Sequence, residues 1–65
     1  MMKLMYLART VRDYTGEYEN PPMLLSVGDT VELIKRNDTL YTEWYWSRSP
    51  DGKEAWVPEA IMKIQ

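Results

Sequence analysis

Apolar residues fall in short runs along this chain, separated by polar, turn-forming segments. That pattern predicts a series of short strands. The run over 4–11, Leu-Met-Tyr-Leu-Ala-Arg-Thr-Val, has no helical stripe and predicts a first strand. From Arg12 to Pro22 the chain is polar and turn-rich. Pro21 and Pro22 exclude a helix there, and the residue before a proline is held extended. This stretch predicts a long, bent hairpin. Met23-Leu24-Leu25 returns to the core, and Ser26-Val27-Gly28-Asp29 turns the chain. Thr30 to Ile34 alternates as a strand should, with Val31 and Leu33 on one face. Lys35 to Glu43 is a polar connection.

The densest pattern lies between Trp44 and Pro58. Two aromatic-rich runs, Trp44–Ser49 and Lys53–Pro58, flank Ser49-Pro50-Asp51-Gly52. Proline pre-sets φ for a turn's first position and glycine accepts the positive φ that follows, so a hairpin is predicted. Three tryptophans and Tyr45 sit on it, in a chain of eight aromatics. A domain this small cannot bury them all, so part of this surface is available for binding. Glu59-Ala60-Ile61 predicts one 3₁₀ turn, and Met62-Lys63-Ile64 a short closing strand. The sum is five short strands with no helix longer than a turn, an all-β barrel or sandwich forming a single domain over 1–65. The core candidates are Ala8, Met23, Leu25, Val31, Leu33, Val57, Met62 and Ile64.

Composition narrows the chemistry. A chain of 65 residues buries only about 60% of the surface its unfolded form exposes, so stability is marginal. With no cysteine and no histidine, disulfides, thiolate metal sites and the commonest general base are absent. Ser26, Ser47 and Ser49 have no histidine to activate them, so no enzyme is expected. No cofactor or metal is implied. The short apolar run before Arg9 is shorter than a signal peptide, and nothing approaches the ~20 apolar residues of a membrane span. A cytoplasmic, monomeric protein is the expectation.

The order of features resembles an SH3 domain, most closely the variant SH3 domains of bacterial proteins, over roughly residues 7 to 64. Val11-Arg12-Asp13-Tyr14 stands where that family has Ala-Leu-Tyr-Asp-Tyr. Thr15 to Met23 corresponds to the RT loop, and Leu25 to Asp29 to the diverging turn. Lys35 to Glu43 corresponds to the n-Src loop, Trp44-Tyr45 to the tryptophan pair, and Pro50-Asp51-Gly52 to the distal turn. Trp56-Val57-Pro58 matches the aromatic-apolar-proline motif before the 3₁₀ turn. The resemblance implies a small five-stranded SH3-like barrel with RT, n-Src and distal loops. It also implies a groove for peptides, proline-rich ones in the family at large, whose pre-formed polyproline II shape costs little ordering entropy.

By that resemblance the groove residues are Arg12, Tyr14, Trp44, Trp56, Pro58 and Ile61. Tyr14, Trp44 and Pro58 agree with the family, and Trp56 replaces one aromatic with another. Arg12 and Ile61 stand where tyrosines usually wall the first proline pocket, so the outer pocket is altered. Arg12 offers a partner for a ligand carboxylate instead. Glu17, Glu19 and Glu43 are the candidates for holding a ligand arginine beside Trp44, by charge pairing and cation–π contact. Trp46 is expected to serve packing.

Two other classes stay open at this stage. Small barrels of this kind also bind nucleic acid, and Tyr41, Trp44, Trp46 and Trp56 could stack on bases. A net charge of −2, with Arg9, Arg12, Lys35, Arg36 and Arg48 scattered along the chain, argues against it. The aromatic surface could also serve assembly, by docking a folded partner or a second copy.

Overall fold

In the computed structural model, which describes residues 6–65, the chain forms seven strands and one 3₁₀ turn. These are β1 (Tyr6–Thr10), β2 (Tyr14–Gly16), β3 (Met23–Leu25), β4 (Thr30–Arg36), β5 (Trp44–Arg48), β6 (Glu54–Pro58) and β7 (Met62–Ile64), with the turn over Glu59–Ile61. Five of them make one antiparallel sheet in the order β6-β5-β4-β1-β7. β2 and β3 pair separately. The all-β architecture expected from the sequence is therefore present. The two extra strands belong to the bent hairpin, where Tyr14 faces Leu25 and Gly16 faces Met23. β1 ends at Thr10, before the expected Val11, and expected strand positions Leu4 and Met5 lie outside the described residues.

Two turns fix the sheet. At the hairpin tip the Ser49 amide donates to the Lys53 carbonyl at 2.8 Å and the Gly52 amide to the Ser49 carbonyl at 2.9 Å. Gly52 sits at φ +90°, a conformation that costs an L side chain strain. Asp51 Oδ1 accepts from the Ser49 hydroxyl and from the Lys53 amide. After β3, Gly28 turns at φ +95°. That turn is held from within by Thr10, which is 1% exposed and whose hydroxyl donates to the Ser26 and Asp29 carbonyls. Asp13 Oδ1 accepts from the Val27 amide at 2.9 Å, tying the start of the bent hairpin to the same turn.

The core is Ala8, Met23, Leu25, Val31, Leu33, Tyr45, Ala55, Val57, Ile61 and Met62, with Tyr14 packed against it. Seven of these are among the core candidates read from the sequence. Ile64 corrects the expectation: at the end of edge strand β7, opposite Ala8, it stays 38% exposed. Ile34 is buried although it neighbours buried Leu33, because the β4–β5 register slips between Leu33 and Lys35. A bulge of this kind adds one residue to a strand and re-aims those after it.

Candidate functional site

The outer face of β4–β5–β6 follows from strand parity. Along β5, Tyr45 and Ser47 turn inward while Trp44, Trp46 and Arg48 stay half-buried outside. Along β6, Ala55 and Val57 turn inward while Glu54, Trp56 and Pro58 stay outside. The register sets complementary side chains against one another: Trp44 faces Pro58, Trp46 faces Trp56, and Arg48 faces Glu54. Small Ser47 and Ala55 meet on the inside. The Ser47 hydroxyl donates to the Tyr45 carbonyl at 3.0 Å and so carries no unmet polar demand.

At the distal end the face is ionic. Arg48 donates to Glu54 Oε2 through Nε at 2.9 Å and Nη2 at 2.8 Å, and Nη1 lies 3.6 Å from Glu32. The hydrogen bond to Glu54, with the charges of Glu54 and Glu32, raises the Arg48 pKa above its usual value. The other oxygen of Glu54 accepts from the Trp46 indole N–H at 3.0 Å. Glu54 therefore fixes both Arg48 and the plane of Trp46. Trp46 in turn meets Trp56 edge to face.

Towards the other end of the hairpin a cavity of about 340 Å³ opens. Tyr18 from the β2–β3 loop, Asn37 and Tyr41 from the β4–β5 connection, Trp44 and Trp56 line it. The connection is tied to Trp44 by backbone bonds. The Asn37 amide donates to the Trp44 carbonyl at 2.9 Å, and the Trp44 amide donates to the Tyr41 carbonyl at 3.0 Å. Arg36 Nε donates to the Thr42 carbonyl at 2.8 Å, and the Glu59 amide to the Glu43 carbonyl at 2.7 Å. Tyr18 is 94% exposed and Tyr41 61%. Both rings therefore present aromatic surface to solvent.

The candidates fall into three groups. Trp44 and Trp56 line the cavity, and Pro58 stands opposite Trp44 across the hairpin. Tyr14 is half-buried against the core. Burial first, then Tyr18 and the charges of Glu19 and Glu17, push its hydroxyl pKa upward, so the field of both loop carboxylates reaches it. Glu17 and Glu43 are exposed and Glu19 half-buried. None of the three lines the cavity, but they adjoin lining residues in sequence: Glu17 and Glu19 flank Tyr18, and Glu43 precedes Trp44. Arg12 is exposed and does not line the cavity. Ile61 is a correction. It is 9% exposed and part of the core, because an aliphatic side chain ending the 3₁₀ turn gains more by turning inward than by walling a wet groove. Its carbonyl accepts from the Val11 amide at 2.7 Å.

Sequence reasoning missed Tyr18 and Asn37 as wall residues, and named Tyr41 only for base stacking. The available signal was aromatic side chains inside otherwise polar loops.

The chain matches the family described as variant SH3 domain over residues 7–65. It is 33% identical over 52 residues to the mouse protein apoptosis-stimulating of p53 protein 2, an alignment covering 80% of this chain and 4% of that protein. The all-β architecture with a single 3₁₀ turn among the described residues is consistent with the fold of that family. This chain belongs to the variant SH3 domain family, whose members are protein-interaction modules.

Proposed function

We propose that this chain is a non-catalytic module that binds an extended peptide segment of a partner protein across Trp44. The ligand is an arginine-containing, proline-rich segment. One apolar residue rests on Tyr14, Trp44 and Pro58, and the arginine enters the cavity beside Trp44. The observation that carries this reading is the cavity itself, in which four aromatic rings from three separate parts of the chain converge. Aromatic faces suit a guanidinium through cation–π attraction, with Glu17, Glu19 and Glu43 supplying negative potential nearby. The outer proline pocket is reduced, since Ile61 is buried and Arg12 supplies no aromatic face. Such a ligand therefore depends on its arginine more than on a second proline.

Calorimetric titration with an arginine-containing proline-rich peptide, and with its arginine-to-alanine counterpart, tests this. Binding by the first and at least tenfold weaker binding by the second is the expected result. Trp44→Ala should remove binding while the far-ultraviolet spectrum and the unfolding transition persist. Equal affinity of wild type and Trp44→Ala for the peptide would overturn the assignment.

A further inference from the structure

Beyond the cavity, the outer face carries a second concavity that the peptide groove does not use. Lys35, Trp46 and Trp56 line it. These three residues form one row across three strands, since Lys35 faces Trp46 and Trp46 faces Trp56. The bulge in β4 creates this row. Without the slip between Leu33 and Lys35, Ile34 would face Trp46; with it, Ile34 is buried and the lysine takes the outward place. Lys35 Nζ lies 5.9 Å from the centre of the Trp56 ring. Among the described residues Lys35 has no ion-pair partner, while the neighbouring row Glu32–Arg48–Glu54 is internally paired. Trp46 is held by its bond to Glu54 and by the edge-to-face contact with Trp56. The result is a rigid aromatic corner with one unneutralised cation at its rim, in a chain of net charge −2.

Trp56 belongs to both concavities. We infer that the bound segment continues over Trp56 onto Trp46 and places an acidic side chain against Lys35, so that the domain reads a basic residue on one side of Trp56 and an acidic residue on the other. This rests on the peptide-binding function proposed above and adds the ligand's charge order to it. Rigid, half-buried tryptophans are the usual anchors of such contacts, and a rim charge sets orientation. Adjacent strands lie about 4.8 Å apart, so the backbones at Trp56 and Lys35, two strands apart, are separated by roughly 10 Å. An extended ligand covers that distance in about three residues.

The test uses arginine-containing proline-rich peptides in which the position three residues before or after the arginine is Glu, Ala or Lys. For one of the two placements, the wild-type domain should bind the Glu peptide about threefold tighter than the Ala peptide, with the Lys peptide weakest. Lys35→Glu should reverse that order and leave affinity for the Ala peptide within twofold. The preference should shrink as salt rises. If the Ala peptide binds but Lys35→Glu leaves the Glu-to-Ala ratio unchanged in both placements, the acidic contact is wrong and the peptide groove stands. If no peptide of the set binds wild type, the peptide-binding function fails and this inference with it.

Discussion

Trp46 and Trp56 stand directly opposite one another on β5 and β6, their ring centroids 5.4 Å apart and their planes at 72°. The positive edge of one ring thus meets the negative face of the other, a geometry that contributes about 0.5–1.5 kcal/mol beyond area burial. The pair ties the aromatic cavity to the lysine-bearing corner and keeps the hairpin's outer surface in one shape.

That coupling is measurable. Trp46→Ala and Trp56→Ala, alone and together, form a double-mutant cycle. Denaturant unfolding should give an interaction energy of about 1 kcal/mol. Additive effects would mean that each ring packs independently. Variants containing Trp56→Ala should also lose cavity binding, because Trp56 lines the cavity.

Thr10 should matter for stability and not for binding. Its buried hydroxyl donates to two carbonyls of the turn that precedes β4. Thr10→Val keeps the shape and removes the hydroxyl bond, while the Asp29 carbonyl still accepts from the Thr10 amide and the Ser26 carbonyl from the Asp29 amide, so the loss should be about 0.5–1.5 kcal/mol. Chemical denaturation should show that loss, with peptide affinity unchanged once the domain is folded. A smaller loss in Thr10→Ser, which keeps the hydroxyl, would separate the hydrogen bond from packing.

Tyr14 should titrate above the ordinary tyrosine value of 10.0, because burial, then Tyr18, Glu19 and Glu17, disfavour its phenolate. A group whose folded pKa is raised contributes stability that is complete below its unfolded value and is lost as pH rises through the folded value. Alkaline unfolding should therefore begin later in Tyr14→Phe than in wild type, relative to each protein's stability at neutral pH. Ultraviolet titration of the same pair should identify the missing high-pH phenol. A titration in the ordinary tyrosine range would mean that the side chain is more exposed than its packing against the core indicates.

At the hairpin tip the sign is opposite. The Ser49 hydroxyl, then the Lys53 amide, hold the Asp51 carboxyl below its usual range. Its contribution is present above the unfolded pKa and lost as pH falls through the folded one. Ser49→Ala should move the Asp51 carboxyl back up, as read by carbonyl-detected NMR titration. It should also reduce the loss of stability on acidification. An unchanged Asp51 titration would mean that the hydroxyl contact does not hold in solution.

The fold was legible where local signals agreed with one another. Pro50-Asp51-Gly52 placed the hairpin within a residue at each end, and the family resemblance grouped Trp44, Trp56 and Pro58, which strand parity sets on one outer face. The bulge at Leu33–Lys35 was not legible, because a one-residue slip leaves no mark in composition yet decides whether Ile34 or Lys35 meets Trp46. Ile61 was misplaced for a related reason. The resemblance supplies a position, and whether the side chain there faces the groove or the core depends on its own chemistry. Tyr18 and Tyr41 sit in polar loops with no periodicity, so their convergence on Trp44 is visible only once the β2–β3 and β4–β5 loops are folded against the hairpin.

The central claim is that peptide binds across Trp44, and an amide chemical-shift titration of labelled protein with an arginine-containing proline-rich peptide tests it most directly. The expected shifts cluster on Tyr14, Tyr18, Asn37, Tyr41, Trp44 and Trp56, and vanish in Trp44→Ala. No shifts at millimolar peptide, or shifts confined to the β1–β7 edge far from Trp44, would contradict the account.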